Sequence, residues 1–287
     1  MIRSLRAELI RLGRWPTTWV LCGTWLVLNL SFGYLFLYLT YHSDNGEFFA
    51  ADASSPGRAR AVLVQMMPDS VPATLLSQLP MFGGALVLLL GALAVGSGYG
   101  WGTWETVFMT GPRRSVAFAG TLAALAVVVT GLLLTTFAVD LLVAYTVATA
   151  ESQPVIWPAL ADSARGMGAA LLIGSMWTAG GVLLGTLTRG PALATGLGLV
   201  WVLVVEHLLR GVAEMLGPAE AMTDVLPGTA AGSLAGALGA LPQSDPNGTQ
   251  GVMTAIGGTA AVALLGAYLF AFVSASLALV ARRDVTT

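Results

Sequence analysis

Few residues in this chain are of types that do chemistry, and most of those stand in apolar surroundings. Asp140 follows the apolar run Ser115–Val139 and precedes the equally apolar "LLVAYTVATA". A carboxylate inside a membrane suits ion or proton transfer, because its desolvation is tolerated only for a purpose. Counted at 1.5 Å per residue from a helix begun at Ser115, however, Asp140 lies about 37 Å along. That predicts an acid at the far membrane interface, solvated or lining a cavity mouth. Glu206 and His207 are adjacent, with Arg210 one turn beyond Glu206. The spacing fits either a proton relay or a local Glu206–Arg210 pair at i, i+4. A serine nucleophile paired with His207 as base would make an intramembrane protease. The nearest setting, Gly174-Ser175-Met176-Trp177, lacks the glycine such enzymes place after the serine. The single cysteine, Cys22, excludes an intrachain disulfide and a cysteine-cluster metal site, and reads as buried and apolar. No acid–histidine group has metal-ligand spacing.

The elements that position these residues follow from composition. Of 287 residues, 56% are hydrophobic and only 10% charged. A soluble domain is about one-quarter charged, so this chain lacks the charge to cover a water-facing surface. The class expected is an all-α integral membrane protein. A net charge of −2 offers no basic field for nucleic acid. Thirteen arginines and no lysine are present. A phosphate-binding P-loop uses its lysine to reach the β- and γ-phosphates, so ATP hydrolysis by that machinery is not expected in this chain.

Roughly 20 apolar residues of helix cross a hydrocarbon core about 30 Å thick. Six runs qualify, expected near residues 16–41, 80–99, 115–138, 166–188, 190–210 and 252–281. Six crossings put both termini on one side. Arg3, Arg6, Arg11, Arg14, Arg113, Arg114, Arg189, Arg282 and Arg283 fall on that side. Arg58, Arg60, Arg165 and Arg210 fall on the other, among most of the acids. Positive residues mark the cytoplasmic face, which predicts cytoplasmic termini. The first run is too long and too bulky at its end for a cleaved signal peptide. Within residues 1–14, Ile2, Leu5, Leu9 and Leu12 share one helical face, and Arg3, Arg6, Arg11 and Arg14 cover much of the rest. This predicts an amphipathic helix lying in the membrane interface. Two larger outer segments remain. Residues 42–79 read as a loop with a helical piece around Ala59–Met67. Residues 211–250 are too apolar for a solvated loop and read as short helices buried against protein.

The stretch "GYGWGTWETVFMTGPRRS" (Gly98–Ser115) interrupts the second and third spans with glycines, tryptophans and arginines. It resembles the cytoplasmic connection of the permease subunits of type-two ABC exporters. There the pattern is Glu-x-x-x-Gly-Thr, an apolar turn, then Gly-Pro-x-Arg. Gly102-Thr103, the turn Val107-Phe108-Met109, and Gly111-Pro112 with Arg114 match it. Gly98 stands where the family has its acid, Glu105 is additional, and the lysine that often follows is missing. "LRAELIRL" (Leu5–Leu12) looks like the family's elbow helix, "VLPG" (Val225–Gly228) like its segment before the last span, and "ARRDV" (Ala281–Val285) like its close.

The resemblance implies a half-transporter in a bacterial cytoplasmic membrane. A second permease chain, identical or related, would pair with it. A separate ATP-binding ABC subunit, holding ATP and Mg, would dock from the cytoplasm. A short coupling helix around Tyr99–Thr110 would meet that subunit, with Tyr99, Gly102, Thr103, Trp104, Glu105, Gly111, Pro112, Arg113 and Arg114 as the coupling set. The cargo implied is apolar or amphipathic, such as a drug, antibiotic, lipid or peptide. Two other readings stay open. One is an ion-coupled carrier using Asp140 and Glu206; the other is a membrane immunity or sensor protein without turnover. A purely topogenic loop is the plain alternative for the arginines.

Overall fold

The computed structural model describes residues 2–42, 56–104, 114–206, 208–211 and 223–282. Among these all regular structure is helical, and six helices are long and apolar enough to cross a membrane. That is the make-up of a multi-pass membrane protein. The helices are α1 (Ile2–Arg14), α2 (Pro16–His42), α3 (Pro56–Gln65), α4 (Pro68–Gly100), α5 (Arg114–Ala150), α6 (Leu160–Thr188), α7 (Pro191–Gly211), α8 (Pro227–Ala237) and α9 (Gly258–Arg282). The six long ones are α2, α4, α5, α6, α7 and α9.

Two spans are longer than their apolar runs suggest. The second was expected to start near Pro80, yet α4 begins at Pro68 and carries Pro80 inside it. Proline lacks an N–H and crowds the carbonyl four residues back, so it ends or distorts a helix. Here α4 absorbs it in a wide π-helical turn at Leu79–Gly83 and continues. The residues before it, including Leu75, Leu76 and Leu79, are fully buried and therefore helical in context. The expected loop over residues 42–79 is thus largely helix where described: α3 and the first part of α4. The third span continues past Val139 to Ala150, about 55 Å at 1.5 Å per residue. Asp140 stands inside this helix and does not end it.

Helices α4 and α6 form the centre. In lipid an apolar side chain gains little from meeting another, so close van der Waals approach and interhelical hydrogen bonds carry association. Small residues permit it here: a Cβ on Gly181 of α6 would run into the Leu88 carbonyl of α4. Around this pair α2 and α5 pack on one side. Helices α7 and α9 stay peripheral, with Leu197, Leu203 and Phe270 among their exposed side chains. The sixth span starts at Gly258, later than expected, because residues 238–257 form turns first. That return packs against α8, where the Met253 N–H donates to the Gly232 carbonyl at 3.2 Å. Helix α8 is almost wholly buried, which accounts for the apolar composition of its segment.

Candidate functional site

The connection after α4 is a tight reversal, and it differs from expectation at its start. Tyr99 and Gly100 are the last residues of α4 and do not open a separate helix. The Trp101 N–H donates to the Ser97 carbonyl at 3.0 Å and the Gly102 N–H to Tyr99 at 3.1 Å. Gly102 takes φ +66°, a left-handed conformation that costs glycine nothing. Trp101 and Gly102 make the turn, Thr103 and Trp104 are helical again, and Trp104 lies against α4. Its Nε1–H donates to the Val95 carbonyl at 3.2 Å, and the side chain is 5% exposed. Its ring sits 6.0 Å from Tyr99 and 5.7 Å from Phe118 of α5, centroid to centroid.

This geometry gives Gly98 a reason. A Cβ there would lie 2.5 Å from the Trp104 indole nitrogen, so a side chain at 98 and the folded-back tryptophan exclude each other. Of the remaining coupling set, Arg114 opens α5. Glu105, Gly111, Pro112 and Arg113 lie outside the described residues, as does the rest of 105–113.

Helix α1 packs beside this reversal. Leu12 is fully buried, and Leu5 and Leu9 pack on the core. Arg6 and Arg14 are exposed. Arg11 turns inward instead: its Nη2 donates to the Ala94 carbonyl of α4 at 3.1 Å while pairing with Glu8 at 2.7 Å. Ser4 Oγ donates to the Ala117 carbonyl of α5 at 3.2 Å. The side chain of Arg3 lies outside the described residues. Helix α1 is therefore fastened to the two helices that flank residues 105–113.

The buried polar centre is elsewhere, between α2 and α5. Trp25 Nε1–H donates to Thr136 Oγ1, and Asn29 Nδ2–H donates to Asp140 Oδ1, both at 2.7 Å. All four residues are fully buried. Asp140 is thus neither solvated nor at a cavity mouth here: it is fully buried and faces the middle of α2. Tyr34 is buried close by, and its hydroxyl, Asn29 Oδ1 and Asp140 Oδ2 have no hydrogen-bond partner among the described residues. A π-helical turn over Ser31–Leu35 opens α2 beside them. Such turns recur at functional sites because they free backbone groups and re-aim side chains. At the far end of the same helix pair His42 Nε2 lies 3.4 Å from Glu151 Oε1.

Glu206 is 1% exposed and follows a third π-helical turn, Trp201–Val205. Its Oε1 accepts from Trp201 Nε1–H at 3.1 Å and from the Gly228 N–H at 3.2 Å. The expected Glu206–Arg210 contact forms through the backbone: Arg210 Nε donates to the Glu206 carbonyl at 3.2 Å. The carboxylate also closes the N-terminus of α8, where free N–H groups and the helix dipole favour negative charge. Residue 228 must be small, since a Cβ there would overlap Glu206 Oε2. His207 lies outside the described residues. Cys22 is half-buried on α2, not sealed as expected.

The partners that sequence reading missed are Trp25, Asn29, Tyr34 and Trp201. Asn29 carried a signal, as a lone amide within an apolar run; the others look like ordinary span aromatics. No protein-family model matches the chain, and no curated protein matches its sequence.

Proposed function

We propose that the chain is the membrane-spanning subunit of an ATP-driven exporter of the type-two ABC kind. In this reading it sits in a bacterial cytoplasmic membrane with both termini inside and α1 lying in the inner interface. It pairs with a second permease chain and draws on a separate ATP-binding subunit, which holds ATP and Mg. The observation that carries the reading is Trp104. A motor pressing on residues 105–113 needs a stiff link to the helices it moves. Trp104, wedged over Gly98 and against Phe118, ties that segment's start to both α4 and α5. Arg11 and Ser4 brace α1 to the same two helices. The lysine-free sequence supports a partner-borne ATPase. Alternating access would follow as the linked helices shift between two packings.

Affinity purification of the tagged chain from its native membrane tests this. A co-purifying P-loop ATPase whose binding is lost on deletion of Glu105–Arg113 supports it. Purification without any ATPase, with transport unaffected by that deletion, overturns it.

One observation favours a second reading, an ion-coupled carrier. Asp140 is fully buried opposite the middle of α2, with one oxygen unpartnered among the described residues, the setting of intramembrane carboxylates that bind ions or protons. Transport that needs Asp140 but no ATPase selects this reading over the first.

A further inference from the structure

At the end of the bundle away from α1 lies a cavity of about 290 Å³ between α2, α3, α4 and residues 246–250. Both π-helical turns, Ser31–Leu35 and Leu79–Gly83, border it, and Gly33 brings α2 close to Thr74 and Gln78. One wall is apolar, with Phe32, Phe36 and Met81. The other holds Gln65, Ser77 and Gln78. No ionisable side chain is among its described lining residues.

Two amides on the polar wall are incompletely paired. Gln78 is 3% exposed; its Nε2–H donates to Ser77 Oγ at 3.1 Å, while its Oε1 has no partner among the described residues. Gln65 Nε2 is buried, also without an acceptor among them. An unmet buried polar group is unfavourable, so the two amides hold one spare acceptor and one spare donor just behind the cavity wall. The terminal torsion of glutamine is soft, so either amide can turn to meet a ligand at little cost. A ligand completing both must donate and accept, as a hydroxyl or an amide does. An ion would find no counter-charge among these described lining residues.

We propose that this cavity binds a neutral amphiphile: an alkyl or aromatic body against Phe32, Phe36 and Met81, and a hydroxyl- or amide-bearing head against Gln65 and Gln78. An adjoining cleft of about 510 Å³ shares Gln65 and Ser77 and reaches Arg60, so an anionic head is the rival occupant. Under the exporter reading this names the cargo class. The binding itself needs neither ATPase nor transport, so the two proposals fail separately.

The test uses the full chain in lipid nanodiscs and a diazirine-bearing octyl glucoside as probe. Saturable labelling within residues 62–81 or 246–250 is expected. Octyl glucoside should compete; octyl sulfate and octyltrimethylammonium should not. Gln78→Leu should weaken labelling about tenfold, the loss of one ligand hydrogen bond. Gln65→Met, on the facing element, gives the same readout should Gln78→Leu fail to assemble. Competition by monoglucosyl diacylglycerol placed in the nanodisc identifies a lipid head as the source. Competition by soluble glucoside alone identifies a dissolved compound; both outcomes support the site. Non-saturable labelling, labelling elsewhere, stronger competition by octyl sulfate, or indifference to both substitutions overturns it.

Discussion

Asn29 and Asp140 are joined across α2 and α5 at the same sequence offset, 111 residues, as Trp25 and Thr136 one turn before them. Equal offsets mean that the two helices run parallel and in register, with bonded rungs four residues apart. Asn29 stands midway along α2, about 20 Å from either end at 1.5 Å per residue. The pair therefore joins a buried carboxylate to the centre of a span, and its second oxygen remains unpartnered.

That asymmetry separates a structural from a functional acid. Asn29→Ala strands Asp140 Oδ1 and should cost about 1–2 kcal/mol, since the donor is lost while the acceptor stays buried. Asp140→Asn keeps an acceptor for Asn29 and removes a buried charge site, so stability should hold or rise. Interhelical hydrogen bonds in membranes average about 0.6 kcal/mol and reach about 1.7, which bounds the expected coupling in a double-mutant cycle. Unfolding by sodium dodecyl sulfate in mixed micelles measures all four species. A stable Asp140→Asn protein without transport would assign the carboxylate a role beyond packing.

Gly98 and Trp104 should behave as one unit. Gly98→Ala forces the indole off α4 and should lower the thermal midpoint. Trp104→Ala should lower it too, through lost packing and the freed Val95 carbonyl. The double variant should be no worse than Trp104→Ala alone, because the indole that crowds the added methyl most closely is then gone. Such non-additivity is expected of residues in direct contact. Additive losses in a thermal unfolding series would mean that the two positions act independently.

What the sequence made legible was local. Six spans followed from apolar runs because a run is counted without knowing its neighbours. Pro80 misled because a proline's effect depends on context: with α5, α6 and α8 packed around it, α4 tolerates a π-helical turn and extends back to Pro68. The burial of Asp140 was not legible, because a count along one helix gives depth, whereas burial is decided by what packs alongside. Its partner is 111 residues away, beyond any spacing argument. The Gly98 departure became intelligible only when the chain's reversal at Gly102 brought Trp104 back over it. The coupling motif's later half, from Glu105 to Arg113, lies outside the described residues.

Helix α1 should loosen when Arg11 is shortened. Arg11→Ala removes the bond to the Ala94 carbonyl and the pairing with Glu8, leaving Ser4 and the packing of Leu5, Leu9 and Leu12 as the remaining ties. Local openings appear in amide hydrogen exchange before global unfolding does. Faster exchange across residues 4–14, with α6 unchanged, is the expected pattern. Unaltered exchange there would show that apolar burial alone holds α1.

Glu206 should act as the cap of α8. The first N–H groups of a helix lack intrahelical partners, and here one is met from another helix by Glu206. Glu206→Ala should cost about 0.5–2 kcal/mol, the range for a lost N-terminal cap. Glu206→Gln retains the carbonyl acceptor and should recover most of that loss, forgoing only the charge–dipole part of about 0.3–1 kcal/mol. Gly228→Ala should be as harmful as Glu206→Ala, since its methyl overlaps the carboxylate. Joined to Glu206→Ala, the same substitution should cost little more, because the obstructing side chain is gone. Mixed-micelle unfolding of these four variants checks the ordering. A Glu206→Gln protein that is stable yet inactive would move Glu206 from capping to ion handling and favour the carrier reading.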